Sequence, residues 1–338
     1  MEKIEIMEKQ GKQPNHDPEN YKPVHIGLMG HIDAGKTALA RKMTEIISTS
    51  GLDKHPQSQK RGITIDLGFT FFPIQEYMVT LVDAPGHADL IKSVVSGANI
   101  IDTALLIIDA VEGPQVQTGE HLLILDLLEI RRIIVVVNKI DKIPNLDRKK
   151  MLKQVTLLLE KTRYATNTPM VFTSAITGQG LQKLKEIMLD TLQTLDLTRN
   201  ISSPLLYLID HHFGKKGQGT IVTGTVVSGK AKIGDELTLF PLNIKTKLKT
   251  IQKWKKSVNS MRAGDRCGAA ITNLSPQDLF RGCILTDTPD RFFQAQWVEI
   301  HFSKVPLFSH PCKYGQEITI THRMQVLRGR IFPYQKLV

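Results

Sequence analysis

Three features of this 338-residue chain predict a mostly parallel α/β domain followed by a β-barrel and an incomplete second β-barrel. Between Val24 and Thr173, continuous apolar runs such as Thr103–Ile108 and Ile133–Val137 alternate with amphipathic stretches, the pattern of a sheet covered by helices on both faces. After Thr198-Arg199-Asn200 the character changes. Ser202, Ser203 and Pro204 mark a linker, and the β-type segments beyond it are punctuated by Ser228-Gly229, Gly234-Asp235 and Gly264-Asp265. Residues 289–338 leave room for about three strands, too few for an antiparallel barrel to close.

Taken in order, residues 1–22 form a flexible polar tail. The α/β domain, 23–200, offers strands at Val24–Met29, Gly68–Ile74, Tyr77–Val82, Thr103–Ile108, Ile133–Val137 and Met170–Thr173. Its helices fall at Lys36–Thr49, His87–Ala98, Val116–Glu129, Leu146–Thr162 and Leu181–Leu195. The barrel, 201–288, offers Leu205–Ile209, Thr220–Val227, Glu236–Phe240, Ile244–Gln252 and Gly268–Thr272. In the fourth of these, Lys245, Lys247 and Lys249 alternate with Thr246, Leu248 and Thr250. Period-two spacing puts the lysines on one strand face, either to meet phosphates or to guard an exposed strand edge. The partial barrel, 289–338, offers Trp297–Phe302, Gln316–His322 and Gln325–Phe332, so the sequence is expected to stop inside a domain.

Composition narrows the class. Hydrophobic residues at 41% and charged residues at 23% suit a globular chain and exclude a mostly disordered one. No apolar run reaches the roughly 18 residues of a spanning helix, and the first twenty residues are neither a secretory signal nor an Arg-rich transit peptide. Cys267, Cys283 and Cys312 stand far apart, which excludes a disulfide framework or a four-cysteine zinc site and points to a reducing interior, cytoplasmic with a nuclear pool as the alternative, and the lack of a spanning run predicts no membrane contact. The net charge of +11 divides into −1 over 1–22, +1 over 23–200, +7 over 201–288 and +4 over 289–338. A polyanion partner would meet the last 138 residues, with salt-sensitive affinity.

The chemistry is carried by motifs that each follow a strand. Gly30-His31-Ile32-Asp33-Ala34-Gly35-Lys36-Thr37 fits GxxxxGK[ST] between a strand and a helix. Its glycines let backbone N–H groups approach phosphate oxygens, Lys36 bridges the terminal phosphates, and Thr37 ligates Mg²⁺. Asp83-Ala84-Pro85-Gly86 ends a strand, so Asp83 can hold Mg²⁺ through water while Gly86 offers its N–H to a γ-phosphate. Asn138-Lys139-Ile140-Asp141 also follows a strand. The Asp141 carboxylate can accept both the ring N–H and the exocyclic amine of guanine, a donor pair that adenine lacks. Thr173-Ser174-Ala175 would bring backbone N–H groups near the guanine carbonyl. Between Gly51 and Asp66 a polar segment ends in Arg61-Gly62-Ile63-Thr64-Ile65-Asp66, and Thr64 is the candidate second protein ligand to Mg²⁺. The first domain is thus expected to be an α/β P-loop GTPase domain using GTP/GDP and Mg²⁺.

RGITID, DAPGH and NKID together resemble the translational GTPases. The resemblance implies that His87 helps to position the attacking water once the ribosome aligns it, flanked by the hydrophobic pair Ile32 and Ile63. Across 24–332 the runs GHIDAGKTALARK, DKHPQSQKRGITIDLGF, LVDAPGHADLI and DHHFGKKGQGTIVTGTVVSG resemble the eukaryotic-type selenocysteine-specific elongation factors more narrowly. The general elongation factor would have a histidine in place of Ala34 and a longer switch segment. The family implies a basic pocket in the second domain that reads the selenocysteinyl group, matched by Asp210, His211 and Arg281. Selenol is ionised at neutral pH and serine's hydroxyl is not, so a cationic pocket favours one over the other.

The resemblance further implies delivery of selenocysteinyl-tRNA to the ribosome, with a complete third barrel and a fourth domain that engages an mRNA recoding element or its binding protein. Two other readings stand beside it. One is delivery of another aminoacyl-tRNA or the initiator, and the other is a GTP-responsive binding protein with negligible turnover.

Overall fold

The computed structural model describes residues 18–44, 46–47, 68–83, 100–302 and 310–334. Seven strands build the first sheet: β1 (Lys22–Met29), β2 (Ile46–Ile47), β3 (Gly68–Ile74), β4 (Tyr77–Asp83), β5 (Thr103–Asp109), β6 (Ile133–Asn138) and β7 (Met170–Phe172). Their order is β2-β3-β4-β1-β5-β6-β7, with β4, β1, β5, β6 and β7 mutually parallel and β2 and β3 antiparallel. The helices are α1 (Lys36–Met43), α2 (Val116–Leu127), α3 (Arg148–Leu159) and α4 (Leu181–Gln193). Successive strand residues divide between two cores. Leu106, Ile108, Val135 and Val137 pack with Leu122 and Leu125 of α2 and Val155 of α3. Leu105, Ile107, Ile134 and Val136 pack with Leu39 of α1 and Leu184 and Met188 of α4. Both sheet faces are therefore covered, which is why these strands read as unbroken apolar runs.

The helix expected over 36–49 ends early. Thr44 is already extended (φ −87°, ψ 147°) and donates to the Ala40 carbonyl. Ile46 and Ile47 then join the sheet edge opposite Phe71 and Thr70. Two adjacent β-branched residues prefer the pleated edge to another helical turn. The helix expected at His87–Ala98 lies outside the described residues.

The second unit contains β8 (Leu206–Lys215), β9 (Gly219–Ser228), β10 (Lys230–Lys232), β11 (Glu236–Phe240), β12 (Ile244–Lys253), β13 (Lys256–Val258), β14 (Ser260–Arg262), β15 (Arg266–Ile271) and β16 (Ile284–Thr286). Six of them, β11-β16-β8-β9-β15-β12, form a closed barrel, sealed by antiparallel pairing of β11 with β12. Its core includes Tyr207, Ile209, Val222, Leu239, Leu248 and Leu285. At Gly224 on β9, an added Cβ would stand 1.9 Å from the Leu208 carbonyl oxygen, so the β8–β9 contact admits only glycine. Lys245, Lys247 and Lys249 are exposed on one face while Thr246 and Leu248 point inward. β12 is bonded to β11, β13 and β15 and is no edge strand, which removes edge protection as the reason for the lysines.

Beyond the barrel, β17 (Gln316–His322) and β18 (Gln325–Ile331) form an antiparallel hairpin. It reaches the barrel through Gln325, whose side-chain amide donates to the Gly282 carbonyl at 3.2 Å. The strand expected at Trp297–Phe302 is absent. Those residues pair with no strand among the described residues, and Trp297 instead packs its ring against Phe332, 5.3 Å between centroids. Among the described residues no helix is long and apolar enough to cross a membrane.

Just before the linker, Arg199 is tied back to the α/β domain. Arg199 donates to both Asp102 carboxylate oxygens at 2.9 and 2.7 Å and to the Pro23 carbonyl at 3.1 Å. Asp102 also accepts from the His25 backbone N–H at 2.9 Å. Burial lowers the His25 imidazole from 6.5 to about 4. The unfolded chain binds this proton more readily than the native one, so its contribution to stability is complete above pH 6.5 and is lost as the pH falls towards 4. Urea unfolding is expected to show a loss of about 3 kcal/mol across that window, with a shallower loss in His25→Asn; equal slopes would remove His25 as the cause.

Candidate functional site

β1 delivers the chain to Gly30 and α1 takes it up at Lys36. Gly30 has φ 137° and presses on β5, where an added Cβ would lie 2.1 Å from the Ile107 carbonyl oxygen. The loop therefore lies directly on the sheet. Lys36 curls back onto it, donating to the carbonyls of Gly30 at 2.9 Å and His31 at 2.7 Å. Burial lowers its ammonium to about 8, partly offset by Asp83 and Asp33. Thr37 donates its hydroxyl to Asp83 at 2.6 Å, so the two magnesium-ligand candidates converge from α1 and β4. A hydroxyl and a carboxylate are hard oxygen donors, the donor type that Mg²⁺ takes.

The guanine motif reaches the same loop. The buried Asn138 carboxamide donates to the Ala34 carbonyl at 3.1 Å and accepts from the Ala175 N–H at 3.2 Å and the Thr173 hydroxyl at 3.3 Å. Ser174 is buried, and its hydroxyl accepts from the Thr177 N–H at 3.1 Å. Lys139, at φ 66°, reaches Asp109 at 2.7 Å. Asp141 stays exposed on the short 3-10 turn Ile140–Lys142. Asp33 is exposed and Ile32 half-buried. Thus Lys36, Thr37, Asp83 and Asn138 are brought together around one loop, whereas Thr64, Gly86 and His87 lie outside the described residues.

Two residues of α2 that the motifs do not announce also hold this loop. His121 accepts from the Gly30 N–H through Nδ1 at 2.8 Å, and Gln117 accepts from the Ile32 N–H at 3.3 Å. They stand four residues apart on one helical face. Burial lowers His121 to about 3, so Nδ1 stays an acceptor at neutral pH. His31 in turn meets Glu112 at 3.1 Å.

In the barrel, a register shift between Ile209 and His211 kinks β8 around Asp210. The Asp210 carboxylate is buried and paired with the Arg266 guanidinium. It also accepts from the Thr223 hydroxyl at 2.9 Å and lies 2.9 Å from His211 Nδ1. Burial alone would raise this carboxyl; Arg266 and His211 outweigh it and hold it well below the ordinary carboxylate range. Arg281 is half-buried on the turn before β16, whose Gly282 donates to the Ile209 carbonyl at 2.9 Å. Arg266 binds both Asp210 carboxylate oxygens, and its one legible signal is a charge opening the otherwise small and apolar strand Arg266–Ile271. A cleft of about 220 Å³ opens beside it, lined by Phe69 and Phe71 of the α/β domain and by Phe213, Gln218 and Trp254 of the barrel.

Because burial lowers the Lys36 ammonium to about 8, a polyphosphate that binds it restores its charge by taking up a proton above that pH. Guanine-nucleotide affinity is expected to fall as the pH rises from about 8 towards 10. Calorimetry at pH 9 in two buffers of different ionisation enthalpy should record proton uptake of about one. Identical heats in both buffers would exclude the titration of Lys36.

Comparison with known proteins agrees with this geometry. The Elongation factor Tu GTP binding domain matches residues 22–194, and Elongation factor Tu domain 2 matches residues 219–286. The selenocysteine-specific elongation factor of Methanocaldococcus jannaschii is 45% identical over 93% of this chain and 67% of its own length. The mouse protein of that name is 36% identical over 91% of this chain and 56% of its own length. Elongation factor SelB of Methanococcus maripaludis, solved with the GTP analogue GppNHp, superposes with a TM-score of 0.78 at 39% identity, covering 91% of this chain and 64% of that one. The chain thus spans between about half and two thirds of the length of these relatives. With both its GTP-binding domain and its barrel matched, it belongs to the selenocysteine-specific elongation factors within the Elongation factor Tu class of GTPases.

Proposed function

We propose that this protein binds GTP, delivers selenocysteinyl-tRNA to the ribosome in the cytoplasm for UGA recoding, and hydrolyses GTP on delivery. The observation that carries the reading is the convergence of Lys36, Thr37, Asp83 and Asn138 on one loop, in a chain whose barrel also holds Asp210, His211 and Arg266 beside a cleft.

Lys36 exchanges the Gly30 and His31 carbonyls for phosphate oxygens and neutralises charge that develops as the γ-phosphoryl group leaves. Thr37 and Asp83, with Thr64, would hold Mg²⁺, which supplies charge neutralisation on the β- and γ-phosphates when bound. Gly86 offers its N–H to the γ-phosphate, and His87 orients the water for in-line attack between Ile32 and Ile63. Asp141 accepts the two guanine donors, and the Ser174-Ala175 backbone lies toward the carbonyl edge of the base. In the barrel, Asp210 anchors Arg266 and His211, and these two present the N–H donors to the selenolate. Arg281, on the turn whose Gly282 bonds to the Ile209 carbonyl, is a further cation for the tRNA end. The exposed Lys245, Lys247 and Lys249 suit an RNA backbone rather than a protein core. A longer chain of this family would add the contact with an mRNA recoding element or its binding protein.

Two measurements test the reading. The GTP-loaded protein is expected to protect selenocysteinyl-tRNA from deacylation at least tenfold better than seryl- or initiator-tRNA, about 1.4 kcal/mol of discrimination; equal protection would refute the substrate assignment. Asp141→Asn is expected to shift nucleotide preference from guanosine to xanthosine triphosphate by about a hundredfold or more. An unaltered base preference would refute the Asp141 contact.

A further inference from the structure

Phe69 is the second residue of β3 and is fully buried. Its ring carries the Arg266 guanidinium on one face, with the guanidinium carbon 3.3 Å from the ring centroid. His211 approaches the same ring edge-on, 6.4 Å between centroids at 89°. A single aromatic residue of the GTPase domain thus contacts two of the groups gathered around Asp210 in the barrel.

The opposite end of this arrangement is the nucleotide site. In the β3–β4 register Gly68 pairs with Asp83 and Phe69 with Val82. Asp83 accepts the Thr37 hydroxyl at 2.6 Å, so one residue separates the carboxylate on the phosphate side from the ring under Arg266. A planar guanidinium offers an edge and two faces. Asp210 takes the edge, accepting from both terminal nitrogens, and Phe69 takes a face. Asp210 therefore fixes where the charge lies, and Phe69 fixes the plane in which its N–H donors point.

We propose that Phe69 is a positioning residue through which the state of the nucleotide site sets the selectivity of the basic pocket. The inference rests on the reading of Asp210, His211 and Arg266 as the aminoacyl pocket. While nucleotide engages Thr37 and Asp83, the adjoining ends of β3 and β4 are held and the ring stays against Arg266. When the outermost phosphate leaves, that end relaxes and Arg266 loses its backing. The coupling is reciprocal, so the charged tRNA strengthens GTP over GDP by the same factor.

The test is equilibrium binding of selenocysteinyl- and seryl-tRNA to the whole chain, loaded with a non-hydrolysable GTP analogue or with GDP, for wild type, Phe69→Leu and Phe69→Tyr. Leucine keeps an apolar side chain but has no aromatic face, whereas tyrosine keeps the face. Phe69→Leu is expected to lower the selenocysteinyl-over-seryl preference of the GTP form about tenfold. It should lower the GTP-over-GDP ratio for selenocysteinyl-tRNA by a similar factor, with Phe69→Tyr retaining both. Each ratio is taken within one variant, so general weakening of the fold cancels. If wild type discriminates and Phe69→Leu matches it, or if Phe69→Leu loses both tRNAs equally, the pocket stands and the role of Phe69 falls. If wild type itself binds both tRNAs equally, the pocket reading fails and takes this inference with it.

Discussion

The Asn138 carboxamide is the interaction on which the nucleotide site depends. It is almost wholly buried, and each half of the amide is committed: the nitrogen to the Ala34 carbonyl of the phosphate loop, the oxygen to the Ala175 N–H and the Thr173 hydroxyl. A buried amide left without these partners would cost more than the bonds contribute, so the three loops are fixed relative to one another as a set. Loops that cap β1, β6 and β7 thereby act as one surface, although 104 residues separate Asn138 from Ala34 and 37 from Ala175. The α2 side chains Gln117 and His121 hold the other flank, so the phosphate loop is gripped from both sides.

The barrel follows a different logic. It buries two ion pairs, Asp210 with Arg266 and Lys253 with Asp265, the latter at 2.5 Å with both side chains 2% exposed. Apolar replacements of similar volume often stabilise a fold as well or better, so such pairs are weak evidence for stability and better evidence for specificity. Lys253 and Asp265 bring the end of β12 to the turn before β15, which places Arg266 at the start of its strand. The Asp265 carbonyl also accepts from the Val226 N–H at 2.9 Å, tying that turn to β9. One pair sets the frame, and the other presents its charge towards the cleft and Phe69.

The convergence of Lys36, Thr37, Asp83 and Asn138 was legible because each motif is a short contiguous run after a strand, and local spacing then brings these residues to one edge of a parallel sheet. The helix expected over 36–49 outruns the observed Lys36–Met43 because Ile46 and Ile47 suit an apolar helical face as well as a pleated edge, and only pairing with β3 decides between them. Trp297–Phe302 has the composition of a strand, yet composition cannot supply the neighbour that a strand needs. Arg266, Gln117 and His121 carry little sequence signal for one shared reason. Each acts on a partner 56 to 91 residues away, and nothing in its immediate neighbours marks it. The lysines of β12 were readable as a stripe, but whether they guarded an edge required knowing that the barrel closes.

Gly224 shows how far this dependence extends. Its missing side chain lets β9 approach the Leu208 carbonyl, two residues before Asp210. Any methyl group there would prise apart the strand pair that aims Asp210 and His211. In a survey of inherited variation, this position would therefore rank with Asp210 and His211, although it has no side chain of its own.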